Sequence, residues 1–273
     1  MKVVYLGPSG TFTEHAAIKL FPNEERISVL PIRRVVREVE SEKADFGVVP
    51  LENFYNGKVR ETLDALTEVH KTRIVKEASF PIVHCIGALK EHKEINKIYS
   101  KDQAIEQCSM YLCENHPNAE TIAMPSTTAA AERIFKEKLY DSAVIASEDT
   151  LLKYGLSVFN KDIVPNNVTR FAVLSREYTE PTGDDKSFIV ISPPERDKPG
   201  VLHEVTGIFK NHGINLEGMF ERPNSQNGGY YFYIELSGHE KQENVRKALD
   251  EVGFVKVLGS YRNSHWKDQG VAK

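Results

Sequence analysis

Asn167-Val168-Thr169-Arg170-Phe171-Ala172-Val173-Leu174 sets a polar triplet in front of an apolar run. The run reads as a strand, with a hydroxyl, a guanidinium and an aromatic ring at its mouth. Those groups suit a small, anionic, ring-shaped ligand. The stretch decides the fold because strand and helix patterns alternate before it. A linker and a domain of different order follow it.

Upstream, residues 3–6, 27–30 and 46–49 read as short apolar strands. Between them, Ala16, Ala17 and Leu20, then Val35, Val36 and Val39, recur at helical spacing. Val59, Leu63 and Leu66 give a further i, i+4, i+7 stripe before a strand at 74–78. A second series has strands at 84–89, 97–100, 121–123 and 143–146, with helices at 103–114 and 127–137. The alternation predicts an α/β domain with mostly parallel sheets over residues 1–179. Its length predicts two lobes, about 1–80 with 160–179, and 81–159, the chain crossing near Phe80-Pro81.

Downstream, Glu180-Pro181-Thr182-Gly183-Asp184-Asp185 is a linker by composition. Residues 186–262 then carry strand, helix, strand, strand, helix, strand. That βαββαβ order predicts a small α+β, ferredoxin-like domain. The tail from His265 onward reads as disordered.

The chain has 273 residues, 40% hydrophobic and 27% charged, which suits globular domains with a real core. Its net charge of -4 gives no basic field to attract nucleic acid or an anionic membrane. No apolar stretch is long enough to span a bilayer. Cys85, Cys108 and Cys113 lack CxxC spacing, so they read as small buried apolar residues rather than a disulfide framework or zinc site. Met1-Lys2 leads straight into a strand and not a signal peptide, which points to the cytoplasm.

Three turns stand where α/β folds bind ligands. Gly7-Pro8-Ser9-Gly10-Thr11 joins the first strand to the first helix, and Thr11 and Glu14 have capping-box spacing. Ser126-Thr127-Thr128-Ala129 repeats the theme in the second series. Each alone is explained by an ordinary helix cap; together they could grip two carboxylates across a cleft. Pro50-Leu51-Glu52-Asn53, leading to Gly57, lies at a strand's carboxyl end, where Glu52 and Asn53 would line a crevice. His84, in an apolar run, reads as a core residue. Nothing matches a dinucleotide fingerprint, P-loop, HExxH, nucleophile elbow or kinase signature. The residues alone define a two-lobed binder of a small anion and leave the reaction open.

Taken in order, these motifs resemble the prephenate dehydratase family. The resemblance is carried by Gly7–Thr11, Val48-Val49-Pro50-Leu51-Glu52-Asn53 with Gly57, Ser126–Ala130, Tyr154-Gly155-Leu156 and Thr169-Arg170-Phe171. Beyond the linker, Gly200-Val201-Leu202, Ile214-Asn215-Leu216 and Arg222-Pro223 look like a regulatory ACT domain. The resemblance implies a type II periplasmic-binding-protein-like catalytic domain followed by an ACT domain. It implies decarboxylative dehydration of prephenate to phenylpyruvate without metal or cofactor, regulated by phenylalanine in a homodimer or homotetramer. Thr169 would assist the departing hydroxyl, Arg170 would hold a carboxylate and Phe171 would pack on the ring. Asn53, Gly57, Ser126, Thr127, Ser9 and Thr11 would complete the substrate site. Gly200, Val201, Leu202, Asn215, Leu216, Arg222 and Pro223 would hold the effector.

Four departures qualify the match. Phe54 stands where the family has Ser or Thr, which predicts a narrowed pocket, and Lys101-Asp102 replaces His-Pro. Phe220-Glu221 replaces Glu-Ser before Arg-Pro, and His203 replaces a small apolar residue. Phe54 keeps open an arogenate dehydratase or a prephenate decarboxylase that retains the hydroxyl, and the altered motifs together keep open a non-catalytic sensor of small anions.

Overall fold

The computed structural model describes residues 1–194, 199–224 and 228–264. With elements numbered along the chain, the first sheet takes β1 (Lys2–Leu6), β2 (Glu25–Val29), β3 (Phe46–Asn53), β4 (Gly57–Lys58), β5 (Arg73–Pro81) and β11 (Val168–Ser175). Its order is β2-β1-β3-β11-β5, with β4 paired to β3. Helices α1 (Phe12–Leu20), α2 (Ile32–Glu40) and α3 (Arg60–Glu68) pack on it. In α2, Ile32, Val35, Val36 and Val39 are buried at i, i+3, i+4 and i+7. Each such side chain contributes about 1.5–3 kcal/mol by leaving water. Arg33, Arg34 and Arg37 take the outer face, as the charge pattern requires.

The second sheet holds β6 (Cys85–Ala88), β7 (Lys97–Ser100), β8 (Glu120–Ala123), β9 (Ser142–Ala146) and β10 (Ser157–Asn160) in the order β10-β6-β9-β7-β8. Its helices are α4 (Asp102–Gln107), α5 (Ser109–Asn115), α6 (Thr127–Glu137) and α7 (Glu148–Lys153). The helix expected over 103–114 breaks at Cys108, which ends α4 and precedes α5. Cys85 and Cys108 are buried, whereas Cys113 is exposed, contrary to its reading as a core residue.

The sheets are mixed rather than mostly parallel. After β5 the chain builds the second lobe and returns on β11, which inserts between β3 and β5, antiparallel to both. In the second sheet β6 and β10 run antiparallel to their neighbours. β5 leads out of the first lobe and β11 leads back into it, so the two run in opposite directions, and alternation alone does not reveal the return.

The third unit is βαββαβ: β12 (Asp185–Ile191), α8 (Val201–Asn211), β13 (Leu216–Pro223), β14 (Tyr230–Ser237), α9 (Glu243–Val252) and β15 (Val255–Arg262). Its antiparallel sheet has the order β13-β14-β12-β15. Side-chain alternation gives the sheet two apolar faces. Ile189, Ile234 and Leu236 meet Val205, Phe209 and Val245 of α8 and α9. Phe188, Val190, Tyr233, Leu258 and Tyr261 instead join Leu63, Leu66 and Ile74 in the core of the first lobe. Gly259 has no room for a Cβ, which would run into the Ile74 backbone. Lys256 Nζ donates to the carbonyls of Leu66 and Thr67 at 3.0 and 2.7 Å and also to that of Val69, capping the end of α3. The tail expected to be disordered from His265 lies outside the described residues.

Candidate active site

A cavity of about 490 Å³ opens between the two α/β lobes. Thr169 and Phe171 line it from β11, Asn53 from β3, and Lys101, Gln103 and Gln107 from the opposite lobe. Period-two alternation sets which residues of β11 arrive there. Thr169 and Phe171 share one face; Arg170 takes the other.

Thr169 is 7% exposed and held from below by Asn53. The Asn53 amide nitrogen donates to Thr169 Oγ1 at 2.9 Å, Asn167 Oδ1 at 2.7 Å and the Val168 carbonyl at 3.3 Å. Its Oδ1 accepts from the N–H groups of Tyr55 and Asn56 at 3.0 and 3.1 Å, and from Gln107 Nε2 at 3.1 Å. Backbone donors therefore fix which end of the amide faces Thr169. The threonine oxygen already accepts one hydrogen bond, so its own hydrogen is directed elsewhere.

Gln107 ties this group to the opposite lobe. Its Oε1 lies 3.0 Å from Asn167 Nδ2 and 2.8 Å from His84 Nε2. An amide oxygen only accepts, so His84 carries its hydrogen on Nε2. Nδ1 of His84 finds no hydrogen-bond partner among the described residues. Burial pushes the His84 pKa down, against the Gln107 bond, and keeps the ring neutral near pH 7. His84 is thus buried, as expected, but it lines the cleft.

The two predicted anion turns meet the cleft from opposite sides. Thr11 caps α1, accepting from the Glu14 N–H at 3.4 Å, and Ser126 caps α6, accepting from Ala129 at 3.0 Å. Thr11, Ser126 and Thr127 all line the cavity. Glu14 closes the first cap one residue early, accepting from the Gly10 N–H at 2.5 Å. Burial opposes ionisation of Glu14, but the Tyr5 hydroxyl and this N–H outweigh it and hold its pKa low. Ser9 is not among the lining residues; its hydroxyl lies 3.1 Å from Tyr5 Oη. The lobes touch here: Thr150 Oγ1 donates to the Gly10 carbonyl at 3.3 Å, and Gly10 faces Thr128 of α6.

Arg170 is 1% exposed and points away from the cleft. Its guanidinium lies 2.7 Å from Glu52, 2.7 Å from Glu77 and 2.9 Å from Glu235 of the third unit. Burial alone would lower its pKa, but Glu235 and Glu77 raise it, so its charge is permanent. A buried guanidinium already shared among three carboxylates does not hold a ligand in the cleft, which corrects its expected role. Glu52 likewise faces this cluster rather than the crevice. Gly57 lines a separate hollow of about 330 Å³ beside Arg170 and Glu235, not the cleft. Phe54 is 61% exposed and absent from the lining, so it does not narrow the pocket.

Lys101, just ahead of α4, is the cationic side chain among the lining residues, and Glu61 the anionic one. The residues that sequence reasoning missed are Gln107 and Asn167. Gln103 and Gln107 stand at i and i+4, a polar stripe along α4 that is a readable signal. Of the expected effector residues, Gly200 precedes α8, Val201 and Leu202 open it, and Asn215 and Leu216 lead into β13. Arg222 and Pro223 end β13, and Arg222 pairs with Asp64 of α3 at 2.5 Å.

Two α/β lobes around a polar cleft, with a ferredoxin-like unit docked on one of them, define a periplasmic-binding-protein-like domain joined to a small α+β appendage. The chain matches the prephenate dehydratase family over residues 3–179 and the ACT domain over 196–254. It is 39% identical over 271 residues to the bifunctional chorismate mutase/prephenate dehydratase of Pseudomonas aeruginosa, covering 96% of this chain and 73% of that one. The prephenate dehydratase of Lactococcus lactis is 32% identical over 273 residues, 96% of this chain and 97% of that protein. The solved prephenate dehydratase of Arthrobacter aurescens in complex with L-Phe matches with a TM-score of 0.87 and 32% identity. That match covers 97% of this chain and 91% of the other. The chain belongs to the prephenate dehydratase family.

Proposed function

We propose that this protein converts prephenate to phenylpyruvate, with Thr169 as the hydrogen-bond donor to the departing hydroxyl. The bond from the ring carbon to its carboxylate breaks, carbon dioxide leaves, and the electron pair enters the ring. The bond to the ring hydroxyl breaks with its pair on oxygen, and that oxygen takes a proton that solvent supplies to become water. Charge develops on the hydroxyl, so a donor aimed there acts mainly in the transition state. The observation that carries the reading is the Asn53–Thr169 bond of 2.9 Å, which occupies the threonine oxygen and turns its hydrogen toward a partner elsewhere.

The ring carboxylate loses its charge as it departs, so a strong cation against it would hold back the reaction. Lys101 is therefore assigned to the side-chain carboxylate, which is retained. The N–H groups at the starts of α1 and α6, with Thr11, Ser126 and Thr127, supply weaker donors. Phe171, buried on the cleft face, supplies an apolar wall. The motive for a decarboxylase or an arogenate enzyme was Phe54, which lies outside the lining.

The ACT domain is assigned phenylalanine as its effector, bound by residues around the start of α8 and β13. β13 is an edge strand of its sheet, which supports assembly into dimers or tetramers, to be measured by light scattering. No helix among the described residues is long and apolar enough to cross a membrane. The cytoplasm is the compartment assigned to it.

The test is phenylpyruvate formation from prephenate by the purified protein. Thr169→Ala should lower kcat by about 10²–10³ and Thr169→Ser should retain most of it. Binding of prephenate without an aromatic product would overturn the reading.

A further inference from the structure

We propose that the Glu235–Arg170 ion pair is the coupling through which an effector held by the ACT domain acts on Thr169. The proposal rests on the reading that phenylalanine binds that domain and that Thr169 serves the reaction.

Two polar groups at the base of the cleft, Thr169 and Asn53, each have a chain neighbour in one buried ionic cluster. Thr169 is bonded to Arg170, and Asn53, which orients Thr169, is bonded to Glu52. Arg170 Nη1 lies 2.7 Å from Glu52 and 3.2 Å from Glu235, and its Nη2 lies 2.9 Å from Glu235. Lys186 lies 2.7 Å from Glu77 and 3.5 Å from Glu235, and Lys58 bridges Glu52 and Glu235. Glu52, Glu77 and Glu235 face Arg170, Lys58 and Lys186, and Glu217 of β13 lies 4.0 Å from Lys186. Glu235 and Lys186, like Glu217, come from the ACT sheet; the other four come from β3, β4, β5 and β11.

The ACT end of the pair reaches the expected effector residues within one strand. Glu235 lies opposite Gly218 of β13, where the register shifts between Leu216 and Gly218. Ser237, two residues along β14, donates from its N–H to the Asn215 carbonyl at 2.9 Å and from Oγ to Glu217 at 3.1 Å. A shift of β13 on effector binding therefore displaces the strand that carries Glu235. In a desolvated site, charges keep their partners or exchange them as a set, so the cluster passes on such a shift in discrete steps. A second interdomain pair, Arg73–Glu240 at 2.5 Å, ends opposite Ser175, at the other end of β11 from Thr169. It docks the same domains without touching the cleft.

The test uses the full-length protein, phenylalanine and prephenate, with binding read by calorimetry and inhibition by initial rates. In the wild type, saturating phenylalanine should lower turnover by about fivefold or more. Glu235→Gln should keep the phenylalanine Kd within about threefold, yet be inhibited by less than about twofold. Glu240→Gln, which removes the docking pair alone, should keep wild-type inhibition. If Glu235→Gln does not fold, Glu235→Asp retains the charge with a shorter reach and should show reduced inhibition at unchanged Kd. Full inhibition of the folded Glu235 variant, or equal loss of inhibition in Glu240→Gln, would overturn the proposal. Wild type that binds phenylalanine without inhibition removes the coupling alone. Wild type that binds none removes the effector reading as well.

Discussion

Asn53→Asp tests the site at its most connected atom. The substitution is nearly isosteric. It keeps the oxygen that accepts from Tyr55, Asn56 and Gln107 and removes the donor to Asn167, Val168 and Thr169. The two N–H groups of that amide serve the three acceptors, and two donor bonds at about 1 kcal/mol each predict a loss of about 2 kcal/mol in stability. The functional effect is larger. An ionised carboxylate beside Thr169 Oγ1 accepts the threonine hydrogen and turns it away from the substrate. We expect kcat to fall by about 10²–10³, as for loss of one transition-state donor. Combining it with Thr169→Ala should add little, because both remove the same bond. The aspartate meets acceptors at one oxygen and three N–H donors at the other, and only its protonated form can donate again. Activity relative to wild type should therefore rise as pH falls from 8 toward 5. Initial rates across that range, with a thermal melt of each variant, provide the check. A kcat within about fivefold of wild type at pH 8 would refute the view that Asn53 aims the hydroxyl.

Three further outcomes follow from other parts of the structure. Lys101→Met should raise KM for prephenate about ten- to hundredfold, the loss of one charge-assisted bond, with kcat changed far less and Lys101→Arg closer to wild type; a kcat effect alone would remove Lys101 from carboxylate binding. Gly10→Ala should lower stability by about 1–3 kcal/mol and raise KM, since φ is +86° and a Cβ would meet Thr128 Oγ1 at 2.5 Å across the lobes; an unchanged melt would show that this turn yields freely. Burial opposes ionisation of Glu40, but the Thr72 hydroxyl and the N–H groups of Thr72, His70 and Lys71 outweigh it and pull its pKa down to about 2. A depressed carboxylate stabilises fully above the unfolded value and loses that contribution as pH falls from about 4.5 through about 2. Glu40→Gln should flatten that part of the acid melt, and an unchanged slope would count against the assignment.

Local pattern carried most of the fold. The stripe of Val35, Val36 and Val39 and the βαββαβ order downstream are short-range signals, and both appear as read. Strand direction was not legible, because β11 joins partners about 90 to 120 residues earlier and periodicity records no direction. The site divides in the same way. Thr169, Asn53, Thr11 and Ser126 reach the cleft as their positions at strand ends and helix starts suggested. Arg170 was assigned by its chemistry, although its parity with Thr169 on a strand already placed it on the opposite face. Gln107 required the second lobe to be folded over the first, which no local rule supplies.

The insertion of β11 also orders events during synthesis. When residues 1–81 emerge from the ribosome, their sheet has a gap between β3 and β5 that only a strand nearly 90 residues later can fill. The sheet of the second lobe is contiguous in the chain, and its core takes only Ile163 and Val164 from just beyond β10. It can close first, as a finished knob between two unfinished halves. The first lobe then waits for β11, and its core stays open to water until β12, β14 and β15 lay Phe188, Tyr233 and Leu258 against Leu63 and Ile74. Nascent chains halted before residue 185 should therefore expose that apolar face, and ribosome-bound chaperones would find their substrate there.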